Sequence, residues 1–436
     1  MSLSNALSSS VSGLAAASTQ ISVIGDNIAN ANTPGFKEKR AEFTAILGQN
    51  ITAGAGFAQI GAGVRVNDVG MIFSQGVFDQ TQRGTDLGIE GKGFFVLDGN
   101  QGRSYTRAGL FGFDADGWFV DTTGNRVQGY GIDPITGNSN GVLGDVRINV
   151  PLSPPQQTSL IQLGINLNAD APIATFDPND TQGTTAGREV VTVYDSLGTP
   201  RQASIFFTHT GTNTWEYNIA LANTDAAGTP ANPPFIVQAG GTGTLAFDNN
   251  GALVSVNGGS TYPTATFAFD TSNGAAAAQA VDFSLGPMTS GGTATGPAST
   301  QFTQPTVTSF VSQDGYAPGT LTALQIDENG KLNGVFSNGV TMSLAQLALA
   351  NFGNVEGLTD VGGSRLIESL ESGPPIIAAA GSGTLGSIRA SALEKSNVDL
   401  AQQFVNLIIG QRAFQANTRT VSVANELLSN LVNLGQ

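Results

Sequence analysis

Apolar residues fall at strict seven-residue intervals near both ends of this 436-residue chain, and that pattern restricts the fold more than any other feature. At the start, Leu7, Leu14, Ile21 and Ile28 form one row, flanked by Leu3, Val11, Ala17 and Ile24. The spacing predicts one helix with a single apolar seam, Ser and Ala filling its other faces. Pro34 disfavours α geometry at the residue before it and Gly35 permits a turn, so the helix is expected to stop near residues 30–33. At the far end, Leu400, Leu407, Phe414, Val421 and Leu428 repeat the period, with Phe404 and Val432 at intermediate positions. A helix over about 398–434 would run roughly 55 Å at 1.5 Å per residue. Ser396 or Asn397 is expected to cap it, with Asp399 in the first turn.

Gln411, Thr418 and Asn425 interrupt the second seam. They either lie on a solvated flank or set register against a partner helix at some cost in stability, and the sequence leaves both readings open. Neither helix carries the charged face that a lone soluble helix needs, so both seams call for cover.

Between the ends the period changes to two. Runs such as VVTVY (190–194), ASIFF (203–207) and WEYNI (215–219) predict strands among many Gly, Asn, Asp and Thr residues. One pattern recurs, as Phe113-Asp-Ala-Asp-Gly-Trp-Phe119, Phe247-Asp-Asn-Asn-Gly-Ala-Leu253 and Ile326-Asp-Glu-Asn-Gly-Lys-Leu332. A calcium loop would need further spaced acids and a closing Glu, which are missing; an Asp followed by Gly between two strands is hairpin chemistry. Residues 153–310 hold many of the prolines and long Gly/Thr/Ala stretches, whereas 77–152 and 312–395 are tighter, which suggests one domain inserted within another.

Net charge is −15 with only 18 Lys and Arg, and the first basic residue is Lys37. No basic stripe is available for phosphates or anionic lipid, so neither nucleic acid nor membrane is an expected partner. Without Cys there is no disulfide and no thiolate metal site, and the lone His209 sits in a predicted strand. Gly91-Lys92-Gly93 and the Gly-rich 239–244 lack the context of a phosphate-binding loop. Paired carboxylates for glycoside chemistry would need an aromatic-rimmed cleft, and Trp occurs only twice. No enzyme, catalytic residue, cofactor or metal is expected. The first thirty residues carry only Asp26 as a charge and lack the basic and dense apolar regions of a secretory signal, so export without a cleaved signal is the expectation.

The stretch NIANANTPGFKEKR (27–40), which includes Asn27, Asn30, Asn32, Thr33, Pro34, Gly35 and Phe36, resembles the N-terminal signature of the bacterial flagellar rod and hook family of axial proteins. DLGIEGKGFFVLDG (86–99) and YTRAGLFGFDADGWFV (105–120) resemble that family's central β motif, and residues 396–434 resemble its C-terminal helix. VYDSLGTPR (193–201) and residues 315–352 are similar to the hook branch of the family.

This resemblance implies a mainly β protein with α-helical termini. Residues 1–33 and 397–436 would form a terminal coiled-coil domain lining the inner tube of a helical homopolymer, with the heptad residues named above as its self-assembly contacts. Residues 34–76 would connect to a discontinuous inner β domain, 77–152 with 311–396, and 153–310 would be an inserted outer β domain, single or divisible. Implied partners are other copies of the chain, a distal rod protein, a hook cap, hook–filament junction proteins and the flagellar type III export apparatus. The implied role is a structural subunit of an extracellular flagellar hook, a curved, bendable tube passing torque from rod to filament as a universal joint. A distal rod protein of the basal body is the nearest alternative, disfavoured by length and the insert. A secreted β-rich adhesin, supported only by the Thr/Gly/Asn-rich insert, leaves the heptads unexplained.

Overall fold

The computed structural model describes residues 3–47, 49–53, 56–133, 136–148, 152–227, 233–288 and 297–434. Helices Leu3–Ala29 and Leu400–Leu434 occupy the ends, and the chain between them is mainly strand. It divides into two compact units: Met1–Asn149 with Ala323–Val335 and Thr341–Gln436, and Val150–Thr322 with Phe336–Val340.

In the first unit, Thr341–Asn351 lies between Lys331–Phe336 and Arg126–Ile132, and the sheet continues through Phe94–Gly99, Gly102–Thr106, Arg365–Ile367 and Thr359–Gly362. The run Phe94-Phe95-Val96-Leu97 is apolar without alternation, as a strand covered on both faces must be. Phe95 and Leu97 pack with Leu87, Phe111, Phe119, Val127 and Leu347 on one side. Phe94 and Val96 pack with Tyr105, Phe352 and Leu366 on the other. Two short pairs, Phe78–Gln80 with Ala392–Glu394 and Leu87–Glu90 with Ser387–Ala390, hold the chain returning towards the C-terminal helix against the chain leaving the N-terminal one. A two-stranded ribbon, Lys39–Ala45 with Val64–Met71, follows the N-terminal helix.

The second unit is a sheet ordered Gly187–Tyr194, Pro200–Gly211, Thr214–Ala222, Phe235–Phe247, Thr264–Phe267, Gln279–Ser284, Leu160–Asn168 and Thr300–Phe302. The first four strands are joined antiparallel, whereas Leu160–Asn168 runs parallel to Gln279–Ser284 and Thr300–Phe302 and antiparallel to Val307–Gln313. Trp215, Tyr217, Phe207, Phe267 and Phe283 fill the core. His209 is a buried strand residue, stacked on Trp215 at 4.7 Å with Nδ1 2.6 Å from the Ala171 carbonyl oxygen.

The recurring Asp-x-x-Gly pattern is one turn used repeatedly. In the three predicted copies the Oδ1 of Asp114, Asp248 and Asp327 accepts from the amides two and four residues on, at 2.8–3.0 Å. The glycine three residues on, Gly117, Gly251 or Gly330, has φ between +72° and +80°. That is a type I turn closed by a left-handed residue, where glycine avoids the Cβ clash. Asp121 and Asp195 build the same loop with Gly124 and Gly198, two copies that the sequence pattern did not single out.

The helix starts and stops follow local chemistry. The N-terminal helix ends at Ala29, and the chain turns through Thr33 N to Asn30 O (3.1 Å) and Phe36 N to Thr33 O (3.3 Å), with Gly35 at φ +70°. At the C-terminal helix the expected cap is corrected: Asp399 takes the role, its Oδ1 accepting from Ala401 N at 2.9 Å and Gln402 N at 3.2 Å. Asn397 is drawn away by better partners, accepting from Glu38 N at 2.7 Å and donating to Ile72 O at 2.8 Å.

Candidate assembly surface

The terminal helices pack antiparallel. Asn27 Nδ2 donates to Gln403 Oε1 at 3.4 Å. Ile21 lies over Gly410, where an added Cβ would stand 3.1 Å from its Cγ1, and Asn417 lies over Gly13, at 2.9 Å from a Cβ there. Leu7, Leu14, Ile21 and Ile28 are half-buried, beside buried Ala17 and Ile24. Each half-buried Leu or Ile contributes on the order of 1 kcal/mol.

On the C-terminal helix, Leu407, Phe414 and Val421 are half-buried at the expected seven-residue spacing. The alternate seam positions differ from the expectation. Gln403, Gly410, Asn417 and Ala424 occupy them, all buried except the half-buried Asn417. Phe404 is 51% exposed, Leu400 is exposed, and Gln411, Thr418 and Asn425 lie on the solvated side. The physical reason is size: glycine and alanine admit a neighbouring helix closely, whereas a phenyl ring would hold it off. Leu428 lies in the helix, but its side chain is outside the described residues.

A second apolar row runs along the exposed side of that helix. Val405, Ile408 and Ile409 near its start and Val423 and Leu427 further on recur at helical spacing, and Ile408 is 51% exposed. A helix apolar on two sides is one that is covered on two sides.

The signature residues form the joint between the N-terminal helix and the β structure of the first unit. Asn27 is buried; its Nδ2 donates to Lys39 O at 2.8 Å and its Oδ1 accepts from Lys39 N at 2.9 Å. Asn30 Nδ2 bonds back to Asp26 O and Oδ1, both at 3.0 Å, and Asn30 Oδ1 accepts from Thr33 Oγ1 at 3.1 Å. Gly35 donates its amide to Glu394 O at 2.8 Å, and a Cβ there would stand 2.6 Å from the Arg107 carbonyl carbon. Phe36 is buried, Pro34 half-buried and Asn32 exposed.

Sequence reasoning missed the charged centre of this joint. Lys37 Nζ meets Glu394 Oε1 at 2.7 Å and donates to Ser74 O at 2.7 Å. Arg107 Nη1 lies 3.2 Å from Glu394 Oε2, and Gly76 N donates to Glu394 Oε1 at 2.9 Å. The Lys37 side chain is 5% exposed and that of Glu394 0%. Burial pushes the Lys37 ammonium and the Arg107 guanidinium below their ordinary values, although Glu394 pulls both back up. Nearer the surface, Lys39 bridges Asp360 at 2.9 Å and Asp26 at 3.3 Å. Burial opposes its charge, but these carboxylates outweigh burial and raise its pKa. The one signal available was the late onset of basic residues at Lys37, which marked where the helix ends but not the partner 357 residues away.

Among the described residues, no group of three or more His, Cys, Asp or Glu side chains is gathered as metal ligands, and no helix is long and apolar enough to cross a membrane. The arrangement is one of packing and positioning.

Comparison with known proteins places each segment. Residues 7–37 match the family described as flagella basal body rod protein, and 88–170 the flagellar hook protein FlgE/F/G D1 domain. Residues 166–316 match the flagellar basal body protein FlaE D2 domain, and 389–434 the flagellar basal body rod FlgEFG protein C-terminal family. The Thr/Gly/Asn-rich insert thus matches a flagellar domain, which removes the adhesin reading's one support. The flagellar hook protein FlgE of Treponema pallidum is 34% identical over 98% of this chain and 99% of its own length. That of Escherichia coli is 35% identical over 98% and 100%. The fold resembles the crystal structure of Helicobacter pylori flagellar hook protein FlgE2, with a TM-score of 0.50 at 17% identity over 73% of this chain and 100% of that one. Similarity along nearly the whole chain, insert included, means that it belongs to the flagellar hook protein family, a structural family and not one of enzymes.

Proposed function

We propose that this chain is the structural subunit of a bacterial flagellar hook, a helical homopolymer that is curved, bends as it turns and passes torque from rod to filament. The observation that carries this beyond family membership is the second apolar row of the C-terminal helix, Val405, Ile408, Ile409, Val423 and Leu427, exposed in the single chain. Other copies cover it. A contact between unlike patches that does not close into a ring generates a filament.

In this reading the paired ends, 1–33 and 397–436, form a coiled coil lining the tube, and Leu7, Leu14, Ile21, Ile28, Leu407, Phe414, Val421 and Leu428 hold its seam. Leu400 and Phe404, exposed in one copy, face the next. Residues 34–76 connect to an inner β domain of 77–152 and 311–396, and 153–310 form the outer domain. The distal rod protein, hook cap, junction proteins and type III export apparatus are the further partners, with an extracellular location reached without a cleaved signal.

Ile408→Lys tests the assembly role. A lysine there meets no partner within the chain, so monomer melting should match that of the unaltered protein, while electron microscopy under polymerising conditions should show no tubes, because every subunit would repeat the charge in an apolar contact. Normal tubes from this variant would refute the reading.

A further inference from the structure

Beside the joint, the first unit carries a cleft of ≈ 250 Å³ that the helix pairing leaves unused. Its walls are aromatic: Phe73 and Phe352 both stand edge-on to Phe94, with ring centroids 5.7 Å and 6.1 Å away. Arg107 closes one side. This residue is only 8% exposed, and its terminal nitrogens are engaged by Glu394 and by the carbonyl oxygens of Ile89 and Gly91. Its Nε is buried with no hydrogen-bond partner among the described residues. Lys92 stands exposed on the rim and forms no ion pair among the described residues.

Charge and shape ask for the same occupant. Lys37 and Arg107 share the single carboxylate of Glu394, so this buried cluster carries one more positive charge than negative. Uncompensated positive charge behind the cleft, with the exposed ammonium of Lys92 at its rim, favours an anionic group at the mouth. The aromatic walls favour an apolar stem behind that group. The chain itself offers such groups in excess, with 33 Asp and Glu against 18 Lys and Arg.

We propose that this cleft docks an acidic side chain, flanked by apolar residues, from a second copy of this chain. The carboxylate pairs with Lys92 at the rim, where the excess charge of the buried cluster adds to the attraction, and its apolar neighbours cover the half-buried Phe73 at the mouth of the cleft. The contact is heterologous, cleft against loop, and so propagates from copy to copy instead of closing a pair. It rests on the assembly reading above but is independent of the helical stripe.

The test uses polymers grown from a mixture of ¹⁴N- and ¹⁵N-labelled full-length chains, treated with a zero-length carbodiimide that joins amines to touching carboxylates. Mass spectrometry should find Lys92 joined to an Asp or Glu of the other isotope. Lys92→Glu should raise the protein concentration needed for polymerisation about fivefold, with monomer melting unchanged, and Lys92→Arg should polymerise normally. Should Lys92 stay unjoined, join only within its own copy, or be replaceable by Glu without effect, the docking assignment is overturned while assembly stands. Failure of the unaltered chain to polymerise at all overturns the assembly reading and the docking with it.

Discussion

Replacing Glu394 by Gln isolates the electrostatics of the joint, because shape is kept and only charge and one acceptor are lost. Three donors converge on this carboxylate, Lys37 Nζ at 2.7 Å, Gly76 N at 2.9 Å and Arg107 Nη1 at 3.2 Å. Removing the anion leaves two cations buried against a neutral amide, and breaking a buried pair from one side costs about 3–5 kcal/mol. The remaining Gln oxygen still accepts one bond, returning about 1 kcal/mol. The net expectation is a loss of about 2–4 kcal/mol, which at 1.36 kcal/mol per decade is about 30- to 1,000-fold faster amide exchange. Hydrogen exchange read by mass spectrometry over Phe78–Gln80 and Ala392–Glu394, the strand pair beside the cluster, measures this directly. The pH dependence has a fixed sign. Burial lowers the Lys37 pKa below its ordinary 10.5, so below that pH the folded chain binds fewer protons than the unfolded one, and the contribution of Lys37 to stability rises with pH. Without Glu394 the opposing attraction is gone, and the urea midpoint of the variant should climb towards that of the unaltered protein as the pH is raised into the alkaline range. Exchange within threefold of the unaltered rate, with parallel pH profiles, would show that the cluster does not hold the joint.

Two further substitutions probe the turns. Gly35→Ala places a Cβ against the Arg107 and Ala108 backbone at φ +70°, and should cost on the order of 3 kcal/mol, from about 1–2 kcal/mol of left-handed strain and the remainder from overlap; an unchanged melting temperature would contradict the described turn. Asp195→Ala removes a carboxylate that accepts from Leu197 N, Thr199 N and Asn273 Nδ2 at 2.8–2.9 Å and should cost about 1.5–3 kcal/mol near neutral pH. Burial would raise the Asp195 pKa, but these bonds outweigh it and hold it below the ordinary 3.8, so its stabilisation is complete above that value and is lost as the pH falls through the lowered one. Denaturation curves of variant and unaltered protein should therefore converge in acid, and a constant gap would count against the assignment.

What could be read in advance was local. The heptad rows, the stop at Pro34-Gly35 and the Asp-x-x-Gly hairpins each depend on residues within a turn or two, where spacing and φ preference decide the outcome. The misreadings share a cause. Counting apolar residues favoured Phe404 for the seam, whereas close packing selected Gly410 and Ala424, because the distance between helices depends on the smallest side chains as much as on the oiliest. Asn397 is a good helix cap in isolation, but two distant backbone groups, Glu38 N and Ile72 O, compete for its amide and leave the cap to Asp399. Lys37, Arg107 and Glu394 come from segments with no common pattern, and long-range contacts bring them together. Among these are the strand pair of Phe78–Gln80 with Ala392–Glu394 and the bonds of Gly35 N to Glu394 O and of Arg107 to Ile89 O and Gly91 O.

A subunit that passes torque has to be stiff within itself and compliant against its neighbours, and the residue types divide along that line. Inside the first unit, the exit of the N-terminal helix is fixed by short, buried, directional bonds from Asn27, Lys37 and Glu394, and tilting the helix would break several of them at once in a medium that screens little. The row Val405, Ile408, Ile409, Val423 and Leu427 is of the opposite kind. Apolar contact is non-directional and scales with area, so if copies meet along this row, as proposed, small shifts between them cost little provided that water stays out. The second unit adds the turn loop at half-buried Asp248, whose carboxylate accepts from the backbone amides of Asn250 and Ala252. If, as proposed, this unit faces outward in the assembly, polar surfaces that make no demand on a neighbour can exchange water-mediated contacts as copies slide, as a bending tube requires.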